Sequence, residues 1–377
     1  MLKLIDDLPG MNVCSTTLRL EGDVNVVEFT PSPGGGLERL WFYFALANIG
    51  SGGIPRTTRL ILKNINTMLG GESGDFQPVI RYSGREWQRL PHAGIITRGD
   101  GYISMSWEIK TPAEAVEIAF CYPYGHDELE RLLADTGGYW HGDEIGVSSA
   151  GLPLLRLSNN YGSQTARTHG YYLVTRQHAM ETSGAWVLDG IMRRLAETVV
   201  DFPVWVVPCA NPDDAAAGHY GKNPFPWDIN RAWGPHAPMR HEAATIIHDL
   251  KMWRAQVAAD SMIIDLHSPG ADEKGLYVFT HRYIPPEWPV HAQLEKLEQR
   301  LGAFASSQFF CHADYQQYSA WGDCWNLGQY ATHTLEMPQF TLETSYYHAA
   351  GHTLELTDYR RIGEILADWM TETNSQQ

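Results

Sequence analysis

Apolar and polar positions change rhythm once along this 377-residue chain. Up to about residue 122, apolar residues come in short alternating or β-rich runs, at 18–20, 24–29, 40–47, 58–65, 79–82, 102–107 and 115–121. Clusters rich in glycine and proline, such as 31–36 and 99–101, punctuate them. Regular short strands with that punctuation predict an antiparallel β-sandwich. Beyond residue 124 the pattern becomes coarser. A helical stretch (DELERLLA, 127–134) has Asp127 placed as its cap. Apolar strands at 154–157, 171–175, 204–207, 262–266, 276–279 and 340–342 then alternate with helical patterns at 184–195, 242–256, 290–301 and 358–371. That alternation predicts an α/β domain with a mostly parallel mixed sheet and helices on both faces. The expected division is 1–123 for the β-sandwich and 124–377 for the α/β domain, with the boundary inside CYPYG.

Composition narrows the functions open to such a chain. It is 44% hydrophobic and 19% charged, enough to bury two cores. Lys and Arg number 28 against 44 Asp and Glu, a net charge of −16. So acidic a surface argues against a general nucleic-acid or anionic-membrane partner, since both need basic patches. No run approaches the roughly 20 apolar residues of a membrane helix. Asp6 and Asp7 fall where a signal peptide would be apolar. The five cysteines form no CxxC pair, so neither a disulfide framework nor a cysteine zinc site is expected. A cytoplasmic location follows as the expectation. The sequence carries no signal of oligomeric state.

Sixteen histidines make metal binding worth testing. His-x-x-Glu lets two side chains from one tight turn reach the same ion, and zinc accepts both imidazole nitrogen and carboxylate oxygen. The pattern occurs at His141/Glu144, His178/Glu181, His333/Glu336 and His352/Glu355, where chance alone gives about one match. His178/Glu181 has the best context, between an apolar strand and a helical pattern, where open α/β sheets place their active residues. His267 ends another strand (MIIDLH), and Asp265 shares its strand face. From spacing alone, ordinary polar residues at strand ends remain the better reading of His178 and His267. His141/Glu144 reads as a solvated loop, and His352/Glu355 as a loop and capping segment. His333/Glu336 lies close to a plausible catalytic carboxylate.

Several segments, in order, resemble one family. They are LERLWFYFALANIG, IRYSGREWQRLP, FCYPYGHDELERLL, IGVSSAGLPLLRLS, VTRQHAMETSGAWVLDGIM, VVPCANPDDAAAGHY, WDINRAW, DLHS and PQFTLETSYY. Together they resemble the zinc metallocarboxypeptidases of the carboxypeptidase A clan, and within it the cytosolic carboxypeptidases. The resemblance implies a β-sandwich ahead of a carboxypeptidase-like α/β domain. It implies one Zn2+ per chain on His178, Glu181 and His267, and a peptide or protein C-terminus as substrate. Asn230 and Arg231 would hold the terminal carboxylate, a role that suits a planar guanidinium with two parallel donors. The general base must be a carboxylate near the attacking water. Glu343 (FTLETSYY) and Glu336 (HTLEMP) both qualify, and Glu343 is preferred because Pro338 can start a strand that delivers it.

The departures are specific. Ala179-Met180 replaces the family's Pro-Gly in the zinc turn, and Asp214 replaces a glycine. The family's carbonyl-polarising arginine aligns near Gly221 or Lys222, and Lys222 would be a flexible point donor rather than a fork. The family's catalytic tyrosine would be Tyr315 or Tyr318. The subfamily resemblance extends to removing glutamate from acidic tails, yet no basic residue for that side chain stands out. Two other readings stand beside this one: an N-acyl amino-acid amidohydrolase of the same clan, and a weakly active peptide- or glycan-binding protein suggested by the 13 tryptophans.

Overall fold

The computed structural model describes residues 2–36, 38–50, 56–68, 77–159, 167–223, 227–234, 240–271, 273, 275–280, 288, 290–302, 324–349 and 351–375. The chain divides into two compact units. One comprises Met1–Pro123, Asp214–Tyr220 and Gly270–Glu273; the other comprises Tyr124–Asp213, Gly221–Pro269 and Lys274–Gln377.

The first unit is built from two five-stranded sheets. One runs β1 (Leu2–Ile5), β4 (Tyr43–Asn48), β10 (Ala115–Ala119), β6 (Val79–Tyr82) and β7 (Gln88–Arg89), antiparallel throughout. The other runs β2 (Cys14–Glu21), β3 (Val24–Thr30), β5 (Thr57–Leu62), β9 (Ile103–Lys110) and β8 (Gly94–Thr97). It departs from the antiparallel expectation at one place, the parallel pair β3–β5. Residues of β5 alternate between half-buried and buried, as a strand with one core face should. Phe29 from β3 meets Phe44 from β4 with ring centroids 4.8 Å apart, so the two sheets share a core. The run predicted at 40–47 pairs only from Tyr43; ahead of the strand the Trp41 indole N–H donates to Gly10 O at 2.8 Å. Strand β8 has no sequence signature because all four of its residues are exposed.

The second unit holds a seven-stranded sheet ordered β11 (His141–Val147), β12 (Pro153–Ser158), β14 (Val204–Val207), β13 (Tyr171–Thr175), β15 (Met262–His267), β17 (Gln339–Thr344) and β16 (Leu276–Thr280). The pairings β14–β13, β13–β15 and β15–β17 are parallel; the outer ones are antiparallel. Helices α1 (His126–Asp135), α2 (Thr182–Thr198), α4 (His241–Arg254), α5 (Val290–Leu301), α6 (Leu327–Tyr330) and α7 (Leu356–Ser375) complete it, and α3 (Pro212–Ala217) begins in this unit and continues into the first. The central strands are mostly apolar and are buried along their whole length because both faces are covered, with Asp265 and His267 at the end of β15 as the charged exceptions. Consecutive residues of β13 show this directly. Tyr171 donates to Met370 O in α7, while Tyr172 donates to Asp249 in α4. On the α4 face, Ile246, Leu250 and Trp253 pack with Tyr172, Val174 and Ile263. Helix α1 begins one residue before Asp127: Gly125 is its cap, and Glu128 accepts the Gly125 N–H at 2.9 Å.

Candidate metal centre

Three parallel strands end together and deliver the polar residues of the site. After β13 the chain makes a tight turn through residues 176–181 and enters α2. Arg176 takes a left-handed conformation, φ 58°, rare for a residue with a Cβ. Its buried guanidinium compensates by donating to Ala179 O at 2.7 Å and Tyr124 O at 2.8 Å, which locks the turn. The Ala179-Met180 pair is thus accommodated and buried. A Cβ on Gly221 would lie 2.4 Å from Ala179 N, so only glycine fits against this turn.

The turn carries His178 and Glu181, and β15 ends in His267. All three are buried, with ligand atoms within 4.8 Å of one another. Glu181 lies between the imidazoles: Oε1 is 2.7 Å from His178 Nδ1 and Oε2 is 2.7 Å from His267 Nδ1. Ser268 N–H also donates to Glu181 Oε2 at 3.0 Å. Burial pushes the Glu181 carboxyl up, but His178 and His267 outweigh it and hold it well below the usual range. Burial likewise pulls His267 down, and Asp265 and Glu181 more than reverse it. Two imidazoles and one carboxylate around a buried point suit a divalent cation that takes nitrogen and oxygen donors.

Glu343 is placed beside this group by strand register, directly opposite His267 across β15–β17. Its Oε2 is buried with no hydrogen-bond partner among the described residues. Burial foremost pushes its carboxyl up to about 7, with Glu181 adding and His267, Lys222 and His178 opposing. Glu336 is exposed at the end of a helical turn and is not part of the cluster. Asn230 and Arg231 lie on a short helical turn, Ile229–Arg231, capped by Asp228, whose Oδ1 accepts from Asn230 N at 2.9 Å. The same Oδ1 is 3.3 Å from His178 Nε2, so this turn starts at the site. Arg231 donates to Asn230 O at 2.8 Å, and Asn230 Oδ1 is buried with no partner among the described residues. Lys222 Nζ reaches within 3.6 Å of Glu181 Oε1.

The remaining His-x-x-Glu matches stay apart from it. His141/Glu144 lies on the edge strand β11 rather than in a loop, where an i,i+3 pair points to opposite faces. His333 is exposed, as are His352 and Glu355. Tyr315 and Tyr318 lie outside the described residues. Sequence reasoning missed Asp228 and Gln177. Asp228 had a signal, an Asp immediately before a short turn, with a side chain that can accept from the backbone N–H two residues on; Gln177 had none beyond its place next to His178.

No protein-family model matches the chain. In sequence it is 24% identical over 220 residues to cytosolic carboxypeptidase 2 of Danio rerio, covering 51% of this chain and 30% of that protein. It is 23% identical over 246 residues to an uncharacterized protein of Zymomonas mobilis, covering 61% of this chain and 59% of that protein. The matches span less than two thirds of either relative's length. In fold it is similar to a metallo-carboxypeptidase from Burkholderia cenocepacia, with TM-score 0.77 over 100% of both chains at 17% identity. A metallo-carboxypeptidase from Pseudomonas aeruginosa, in complex with (2-guanidinoethylmercapto)succinic acid, gives TM-score 0.73 over 98% of both at 18% identity.

Proposed function

We propose, for a chain that belongs to the carboxypeptidase A clan in its cytosolic carboxypeptidase type, that it is a zinc-dependent carboxypeptidase of the cytoplasm. It would cleave the last peptide or isopeptide bond of a peptide or protein, with C-terminal glutamate the first side chain to test. The observation that carries the reading is the convergence of His178, Glu181 and His267, with Glu343 in register beside His267.

His178, Glu181 and His267 would hold the zinc ion. Zinc bound there would supply Lewis acidity, lowering the pKa of water and polarising a carbonyl. Glu343 takes a proton from the water that attacks the scissile carbonyl and returns it to the leaving amine. Its Oε2, without a hydrogen-bond partner among the described residues, and a carboxyl pushed up to about 7 suit both transfers. Arg231 and Asn230 bind the substrate's free carboxylate and so confine cleavage to the chain end. The Asn230 side-chain NH2 is the end that can donate to this carboxylate, while its Oδ1, which has no partner among the described residues, can accept from an N–H of the substrate. Lys222 adds positive charge next to the ligand group as a point donor.

The test is a panel of peptides with varied C-terminal residues, assayed with and without a zinc chelator alongside N-acyl amino acids. One zinc per chain, chelator-sensitive release of the last residue, and loss of zinc in Glu181→Ala are expected. Unchanged zinc in His178→Ala would remove the ligand assignment. Turnover of N-acyl amino acids alone would replace the carboxypeptidase reading with an amidohydrolase.

A further inference from the structure

Gln177 is fully buried in the turn between β13 and α2, and its amide is held at both ends. Oε1 accepts from Trp233 Nε1 at 2.7 Å, and Nε2 donates to Asp265 Oδ2 at 2.7 Å. An indole N–H can only donate, so the carbonyl end of the amide must face Trp233 and the NH2 end must face Asp265. Asp265 Oδ2 lies 3.2 Å from His267 Nε2, as does Gln177 Nε2. A bare Nε2 would accept from Gln177 but would set its lone pair against the Asp265 carboxylate. A protonated Nε2 donates to Asp265, while Gln177 spends its own hydrogen on the same oxygen. The second arrangement leaves no two acceptors facing each other and leaves Nδ1 on the Glu181 side, 2.7 Å from Oε2.

We infer that Trp233, Gln177 and Asp265 form a buried hydrogen-bond relay that fixes the proton of His267 on Nε2 and turns its Nδ1 toward His178 and Glu181. The inference rests on the metal reading above and adds to it. Gln177 and Trp233 are positioning residues that act through Asp265 and His267. Trp233 follows the turn that carries Asn230 and Arg231, so one short segment supports both histidines: Asp228 stands 3.3 Å from His178 Nε2, and Trp233 acts on His267 through Gln177. Partners of this kind set the tautomer and orientation of a metal-binding imidazole, and their loss costs about 10- to 100-fold in metal affinity.

The experiment measures Zn2+ dissociation constants by chelator competition for wild type, Gln177→Leu, Trp233→Phe and the double variant. Imidazole N–H exchange in the Co2+-substituted proteins is followed by proton NMR. Each single variant is expected to weaken Zn2+ binding by about tenfold. The double variant should lose no more than the weaker-binding single, because either change already breaks the same chain. The His267 N–H should exchange faster in each variant than in wild type. Unchanged affinity and exchange, or losses that simply add, overturn the relay while leaving the metal reading intact. A wild-type protein that takes up no Zn2+ overturns the metal reading itself. If Gln177→Leu does not fold, Trp233→Phe, which removes the N–H and keeps an aromatic ring, decides the question alone.

Discussion

Glu181 is clasped by two imidazoles, and each imidazole is raised by that carboxylate and a second one. For His178, burial pulls down but Glu181 and Asp228 outweigh it; for His267, Asp265 and Glu181 do the same more strongly. A raised histidine stabilises the fold fully below its unfolded value of about 6.5 and loses that contribution as pH rises through its folded value. Metal ligation requires neutral imidazole, so zinc uptake at pH 7 should release protons and zinc affinity should climb with pH. Calorimetry in buffers of different ionisation enthalpy measures the release, and uptake without it would contradict a charged His267. Glu343 makes the complementary case. Glu343→Gln keeps the size of the side chain and removes its proton-accepting charge. Bound zinc should stay at the wild-type level while kcat falls by about a hundred- to ten-thousandfold, as read by metal analysis and steady-state hydrolysis of one peptide.

At the scale of elements, the site depends on how closely α2 approaches the end of β15. A Cβ on Gly184 would sit 3.0 Å from Leu266 O and 3.4 Å from His267 N, against backbone that cannot swing aside. Ser183 in the same turn donates to Thr344 O at 3.0 Å and bonds Ser268, tying α2 to the ends of β15 and β17. Gly184→Ala gains about 1 kcal/mol of helix propensity but forces overpacking that costs about 1–3 kcal/mol. The expected net result is a lower denaturation midpoint together with weaker zinc binding, since Glu181 and His267 are pushed apart. A stabilised variant with unchanged zinc affinity would show that the approach is not limiting. Element positions themselves were largely legible in the sequence. The runs at 171–175, 204–207 and 290–301 coincide with β13, β14 and α5. Those that were not legible, such as β8 and β11, are exposed edge strands whose residues do not need to alternate.

Over the whole molecule, a net charge of −16 sets a long-range field that repels an acidic peptide tail. Salt with a screening length of about 8 Å at physiological strength weakens it. For peptides ending in several glutamates, kcat/KM should therefore rise from low to physiological ionic strength, while neutral peptides change little. A fall with added salt would point instead to a basic binding surface for the tail. Among the described residues no helix is long and apolar enough to cross a membrane.

The sequence determined what depends on neighbours along the chain. The rhythm of buried positions marks strands and helices, and the i,i+3 spacing of His178 and Glu181 lets one turn present both. It offered four His-x-x-Glu matches and two glutamates and preferred His178/Glu181 and Glu343 from local context and resemblance, without showing which strand lies next to which. Only the tertiary structure gives that neighbourhood: in the order β13-β15-β17, His267 lies beside the turn and Glu343 opposite His267, while Glu336 is exposed. It also brought Gln177, Trp233 and Asp265 into one buried chain. Their hydrogen bonds join residues 56 and 88 positions apart, a relation that no local pattern of the sequence encodes.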